Sequence, residues 1–155
     1  MQGLVWVTLA ALALLLGAIV YGYNRLVFNR ARVAEAWSGI DVQLKRRSSL
    51  IPNLVACLKV YMAHERDTLE ELVQQRGAVQ AHEGDDPQGR SSAESQLSAG
   101  LLRVFALVEN YPELKADGGF LDLQRSLSEL EEQIQMARRY YNGAVRELNV
   151  LVESV

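Results

Sequence analysis

At 155 residues and a formal net charge of −3, the chain has room for one domain beside a membrane segment and is too weakly basic to suggest a nucleic-acid partner. Its single cysteine, Cys57, excludes an intramolecular disulfide and an all-cysteine metal site. Beside Leu54 and Leu58 in a helical pattern, that thiol reads as a small buried hydrophobe rather than a reactive group.

The opening of the chain sets the organisation. Residues 1–24 contain no Asp, Glu, Lys, Arg or His, and the run LVWVTLAALALLLGAIVYGY extends from Leu4 to Tyr23. At 1.5 Å per residue this run reaches about 30 Å, the thickness of a bilayer core. We read residues 1–24 as a membrane-spanning anchor that continues without a break into the first helix of a bundle formed by residues 25–155. A cleaved signal would need a basic start, a shorter apolar run and a small-residue cleavage site. Met1-Gln2-Gly3 and GAIVYGYN supply none of these, so an uncleaved anchor is expected. Arg25, Arg30 and Arg32 follow the span at once and hold that side in the cytoplasm, leaving a short N-terminus outside. Tyr21 and Tyr23 sit where an interfacial aromatic belt would, with Trp6 marking the opposite side. Together, Arg25, Arg30, Arg32, Tyr21 and Tyr23 are the candidate membrane-interface residues. Residues 25–60 carry seven basic side chains against two acidic ones, whereas residues 61–155 carry nine against seventeen. This polarity suits contact with anionic headgroups near the membrane; helix surfaces of ordinary mixed charge are the alternative.

Val33, Trp37, Ile40, Leu44, Arg47 and Ile51 follow a four-three rhythm, the spacing of a helix seam facing other helices, with Trp37 as its central knob and Arg47 as its one charged member. Ser48-Ser49 before Pro52 reads as a helix end and restart with Ser49 as N-cap; a kink within one long helix is the other reading. A second helix is predicted from about Ile51 to Ala81, with Leu54, Leu58, Tyr61, Glu65, Leu69, Leu72 and Val73 along one side. The segment 82–92, HEGDDPQGRSS, reads as a loop at the tip of the bundle. A third helix carries Leu97, Leu101, Val104 and Val108 and stops at Tyr111-Pro112. NYPELKADGG is a compact connection whose two glycines relieve backbone strain. From Phe120 through Leu123, Leu127, Leu130, Ile134, Ala137, Tyr141, Ala144 and Leu148 to Leu151, apolar or aromatic residues recur three and four apart, predicting a helix of about 45 Å packed along its length. No stretch alternates with period two. The expected fold is all-α: an N-terminal transmembrane helix continuing into an antiparallel bundle of about four long helices.

Chemistry-bearing motifs are sparse. His64-Glu65 begins like the zinc-protease H-E-x-x-H motif, but the fifth residue is Thr68. There is no G-x-S-x-G, no P-loop and no Glu-x-x-His pair, so no catalytic, cofactor-binding or metal-ligating residues are assigned and no enzyme is expected. Polar residues beside seam positions are the remaining candidates. Asp41, Asn53, Asn110 and Asn142, with Tyr141 and Trp37, would form a bundle core and an inward polar network fixing helix register. Capping helix ends or facing water is the alternative.

These residues carry a resemblance. Ala36-Trp37-Ser38, the string Ile40-Asp41-Val42-Gln43-Leu44-Lys45-Arg46-Arg47, Leu50-Ile51-Pro52-Asn53-Leu54-Val55 and the string Glu109-Asn110-Tyr111-Pro112-Glu113-Leu114-Lys115-Ala116 make the sequence similar to the bacterial LemA family, as do Tyr141-Asn142 and Asn149. The resemblance implies an N-terminal anchor in the bacterial cytoplasmic (inner) membrane, long antiparallel helices and no established enzymatic activity. Some members shape or invaginate membranes, and others are associated with membrane-bound metalloproteases. Two roles compete: a scaffold that self-associates, in contact with membrane lipids, and an adaptor that offers Val42, Phe105 and Leu121 to a membrane-protein partner.

Overall fold

The computed structural model describes residues 2–84 and 87–154, and among them there are helices and no strands. Helix α1 runs Gln2–Tyr61, α2 Arg66–Ala81, α3 Pro87–Val108, α4 Pro112–Lys115 and α5 Gly118–Glu153. Contacts divide the chain into a terminal unit, residues up to Gly39 together with those from Ala137 onward, and a central unit, Ile40–Met136.

Helix α1 continues past Pro52 to Tyr61, so Ser49 caps no helix; its hydroxyl donates back to the Arg46 carbonyl at 2.8 Å. Proline has no N–H for the carbonyl four residues earlier, which is that of Ser48. Arg76 Nε of α2 donates to that carbonyl oxygen at 2.9 Å. The vacated position in the α1 ladder is filled by a neighbouring helix, and the helix persists.

The predicted second helix is split. The chain leaves α1 after Tyr61, turns through buried Met62 and exposed Ala63 and His64, and re-enters helix at Arg66. Glu65, the one charged position on the predicted side, falls at that turn, and neither glycine nor proline marks it. The reversal lets Leu69, Leu72 and Val79 share one core with Ile51, Leu54 and Leu58 of α1, Leu97, Leu101, Val104 and Val108 of α3, Leu114 of α4 and Phe120 and Leu127 of α5. Each fully buried aliphatic side chain contributes roughly 1.5–3 kcal/mol, enough for tertiary packing to override a local helical preference.

The tip is shorter than the loop expected at 82–92. Gly84 takes a left-handed φ of 93° just beyond α2, Asp85 and Asp86 lie outside the described residues, and residues 88–92 are already helical in α3. Gly100 marks a close approach of α3 to α2, since a Cβ there would lie 1.9 Å from Gln75 Oε1. The glycines at 118 and 119 relieve no strain, having ordinary negative φ within the first turn of α5. That turn is held by Asp117, whose Oδ1 accepts the Phe120 N–H at 2.9 Å, an N-cap. Tyr61 donates its hydroxyl to Asp117 Oδ2 at 2.8 Å, tying the end of α1 to the start of α5. These two hydrogen bonds, Phe120 N–H first, hold the Asp117 carboxyl below its ordinary range.

Candidate functional site

Two features stand apart from an ordinary helical core. The first is the exposed apolar length of α1 in the terminal unit. Leu4, Trp6, Leu14, Ile19, Tyr21 and Tyr23 are all exposed, and α1 is long and apolar enough to cross a membrane. Such a face, wholly open in a single chain, is what a helix in lipid requires. Arg25 and Arg30 are exposed just beyond it, while Arg32 is half-buried and donates to Glu147 of α5 at 2.6 Å. One turn further, Trp37 meets Tyr141 in a tilted pair with ring centroids 5.8 Å apart. Both rings are half-buried, so Trp37 is a flank of the packing rather than its central knob.

Arg32–Glu147 and Trp37–Tyr141 set α5 antiparallel to α1, and the same register brings Leu151 and Val152 beside Ala18, Ile19, Gly22, Tyr23 and Leu26. These residues line an apolar groove of about 520 Å³. The fold therefore returns Arg138, Arg139 and Arg146 to the unit that holds Arg25, Arg30 and Arg32. The terminal unit has six basic side chains against three acidic ones, and the central unit ten against sixteen.

The second feature is a charge network inside the central unit. Arg47, the charged member of the α1 seam, is fully buried. Its guanidinium donates to Glu94 Oε2 at 2.5 Å, Glu131 Oε2 at 2.8 Å and Ser98 Oγ at 2.7 Å, joining α1, α3 and α5. Arg90 is also buried; it donates through Nε to Glu94 Oε1 at 3.0 Å and through Nη1 to Asp41, whose other oxygen pairs with Lys45 at 2.8 Å. Burial pushes the Asp41 carboxyl up, but Lys45 and Arg90 outweigh it and hold it below its ordinary range. Three bases face three acids, so the cluster is balanced. Arg47 Nε and Arg90 Nη2 are buried without a hydrogen bond to the protein. Among the described residues no group of His, Cys, Asp and Glu has the geometry to hold a metal ion.

Of the polar residues predicted to turn inward, only Asp41 does. Asn53, Asn110 and Asn142 are exposed: Asn53 and Asn142 lie one position off a seam, where a step of 100° carries them to the outer face, and Asn110 lies in the turn between α3 and α4. The sequence reading missed Arg90, Glu94 and Glu131. The available signals were Arg47 on an apolar seam and the i,i+4 pair Arg90–Glu94, which the polar composition of 82–92 concealed. Phe105, assigned to a docking face, is half-buried against Phe120 at 6.4 Å; Val42 and Leu121 are exposed. Cys57 is half-buried, and burial, with Asp117 nearby, pushes its thiol up and away from thiolate chemistry.

The LemA family model matches residues 36–155. Magnetosome protein MamQ 2 of Paramagnetospirillum magneticum is 23% identical over 174 residues, covering 96% of this chain and 64% of that protein. Magnetosome protein MamQ of Magnetospirillum gryphiswaldense is 22% identical over 170 residues, covering 94% and 62% respectively. The chain thus spans less than two thirds of the length of these curated relatives. With the family model matching 120 of 155 residues, this chain belongs to the LemA family.

Proposed function

We propose that the protein is a single-pass membrane-anchored helical scaffold that self-associates and organises or shapes the bacterial membrane holding it, without catalysis. The observation that carries this reading is α1 itself. One helix holds an apolar stretch exposed along its length and, further on, the side chains of Ile51, Leu54 and Leu58 that form the core. Membrane insertion and bundle packing are thus properties of the same element. Self-association is supported by exposed apolar side chains outside the span, Val60 and Leu102 among them at 75% and 71%. The opposite charge of the two units suits head-to-tail contact between copies. The relatives are named magnetosome proteins, which are not enzymatic names.

An adaptor that docks on another membrane protein, such as a membrane protease, is the second reading, favoured by exposed Val42 and Leu121. The discriminating measurement is the mass and shape of the full-length protein, purified alone in detergent and in lipid nanodiscs, by light scattering and negative-stain imaging. The scaffold predicts a discrete homo-oligomer. A clean monomer in both settings overturns it and redirects the search to cross-linked partners.

A further inference from the structure

The turn between α1 and α2 is made of residues that favour helix. Met62-Ala63-His64-Glu65 contains neither glycine nor proline, and none of the four has a positive φ. Methionine, alanine and glutamate rank among the better helix formers. One backbone bond closes the turn, from the Glu65 N–H to the Met62 carbonyl at 3.0 Å. Glu65 gives α2 no side-chain cap; its carboxylate accepts the Tyr111 hydroxyl at 3.2 Å instead, a contact from the turn after α3. Only in a helix running straight through would the N–H groups of Arg66, Asp67 and Thr68 meet the carbonyls of Met62, Ala63 and His64.

The buried side chains keep one phase across this turn. At 100° per residue, Leu54, Leu58, Met62, Leu69, Leu72 and Val79 fall within an arc of about 100°, and all six are buried. Two helices joined by a turn need no common phase, because each meets the core separately. A single helix paired along its length does need one. The same six side chains therefore suit two states: the bent one, and a straight one in which α1 runs on to Ala81.

We propose that residues 62–65 are a hinge, and that copies of this chain assemble by exchanging helices through it. When the hinge straightens, α1 and α2 become one helix, and α1 parts from the helices that follow. The core face of each α1 is then covered by α2, α3 and α5 of a second copy, through the contacts that the bent chain makes within itself. Those contacts identify the occupant, since a surface that fits α1 of its own chain fits α1 of an identical one. The bonds of Arg47 to Glu94 and Glu131, and of Arg76 to the Ser48 carbonyl, become bonds between copies. Exchange deepens the self-association of the scaffold and rests on it.

The test uses full-length protein in detergent carrying Cys57→Ala, with spin labels on Ser49→Cys and Gln80→Cys, two positions exposed in the bent chain. Labelled chains are refolded with an excess of unlabelled chains, so that only distances within one chain are read. Arg76 meets Ser48 in the bent chain, which keeps the labels close, whereas a straight helix separates them by about 46 Å. With monomer and oligomer resolved by light scattering, the expected result is the short distance in the monomer and the long one in the oligomer. Ala63→Pro puts proline second in the turn, where it is favoured, and inside the straight helix, where it is not. It should leave the monomer folded by circular dichroism and lower the oligomer fraction about tenfold or more. Glu65→Leu releases Tyr111 and completes the apolar face, and should raise that fraction several-fold. If Ala63→Pro does not fold, the distance in the native oligomer decides. An oligomer whose chains keep the short distance, or one undiminished by Ala63→Pro, overturns exchange and leaves self-association standing. Monomer alone, in both the native sequence and Glu65→Leu, overturns both.

Discussion

Arginine has opposite fates in the two units. In the terminal unit Arg25, Arg30 and Arg146 stand exposed beside a helix with no protein covering its apolar face, whereas in the central unit Arg47 and Arg90 are buried, each holding Glu94. A guanidinium can serve both roles because it keeps its charge everywhere and forks toward carboxylates or phosphates alike. The difference lies in the neighbouring helix. Where α3 and α5 present Glu94 and Glu131, arginine is drawn inward and fixes which helices meet. Where no protein covers α1, arginine faces outward.

Breaking the buried side should have the largest effect. Arg47→Ala leaves the buried Glu94 carboxylate held by Arg90 alone and takes a partner from Glu131, and should destabilise the protein by about 3–5 kcal/mol, whereas Arg25→Ala should change stability by less than about 0.5 kcal/mol. Circular dichroism melts of full-length protein in detergent compare them, and equal effects would dissolve the contrast. Within the terminal unit, Trp37→Ala removes a half-buried ring and its Tyr141 partner contact. The expected cost is about 2 kcal/mol, below the roughly 3–5 kcal/mol of a fully buried aromatic; a loss at the upper end would restore Trp37 to the core.

A smaller effect tests the link between α1 and α2. Arg76→Ala should cost about 1 kcal/mol in the native sequence and markedly less in a Pro52→Ala background, where residue 52 supplies the N–H that Ser48 lacks. Additivity in that double-mutant cycle would mean that the arginine is unrelated to the proline. The smallest effect is a pH dependence. Because the folded Asp117 carboxyl lies below its ordinary 3.8, its contribution is present at neutral pH and is lost as the pH falls below about 4. Asp117→Asn keeps an acceptor for the cap, so its melting temperature should fall less steeply on acidification than that of the native protein, by a few degrees at the lowest pH. Parallel pH curves would remove Asp117 from the balance.

The elements were legible where one periodicity governed many residues. The α5 seam is recognisable from spacing alone, with Phe120, Leu127, Leu130, Ile134, Ala144 and Leu151 buried, and so is the apolar run of α1. The turn after Tyr61 was not legible, because no local residue encodes it and only the shared core demands it. The charge network was half visible. Arg47 broke an apolar seam in plain sight, but its partners lie 47 and 84 residues away, and only the fold brings Glu94 and Glu131 to it. The exposed asparagines mark the opposite error, since a polar side chain beside a seam residue is not thereby on the seam. The groove could not be read from sequence, as neither Gly22 nor Leu151 signals the other.

Pro52 leaves α1 unable to complete its own ladder, and the donor missing at the Ser48 carbonyl comes from Arg76, 28 positions beyond Ser48. During folding, that turn of α1 gains its full set of hydrogen bonds only when α2 has turned back and docked. Completion of that turn and docking of α2 are therefore coupled, so Arg76→Ala should speed amide exchange in the stretch around Ser48.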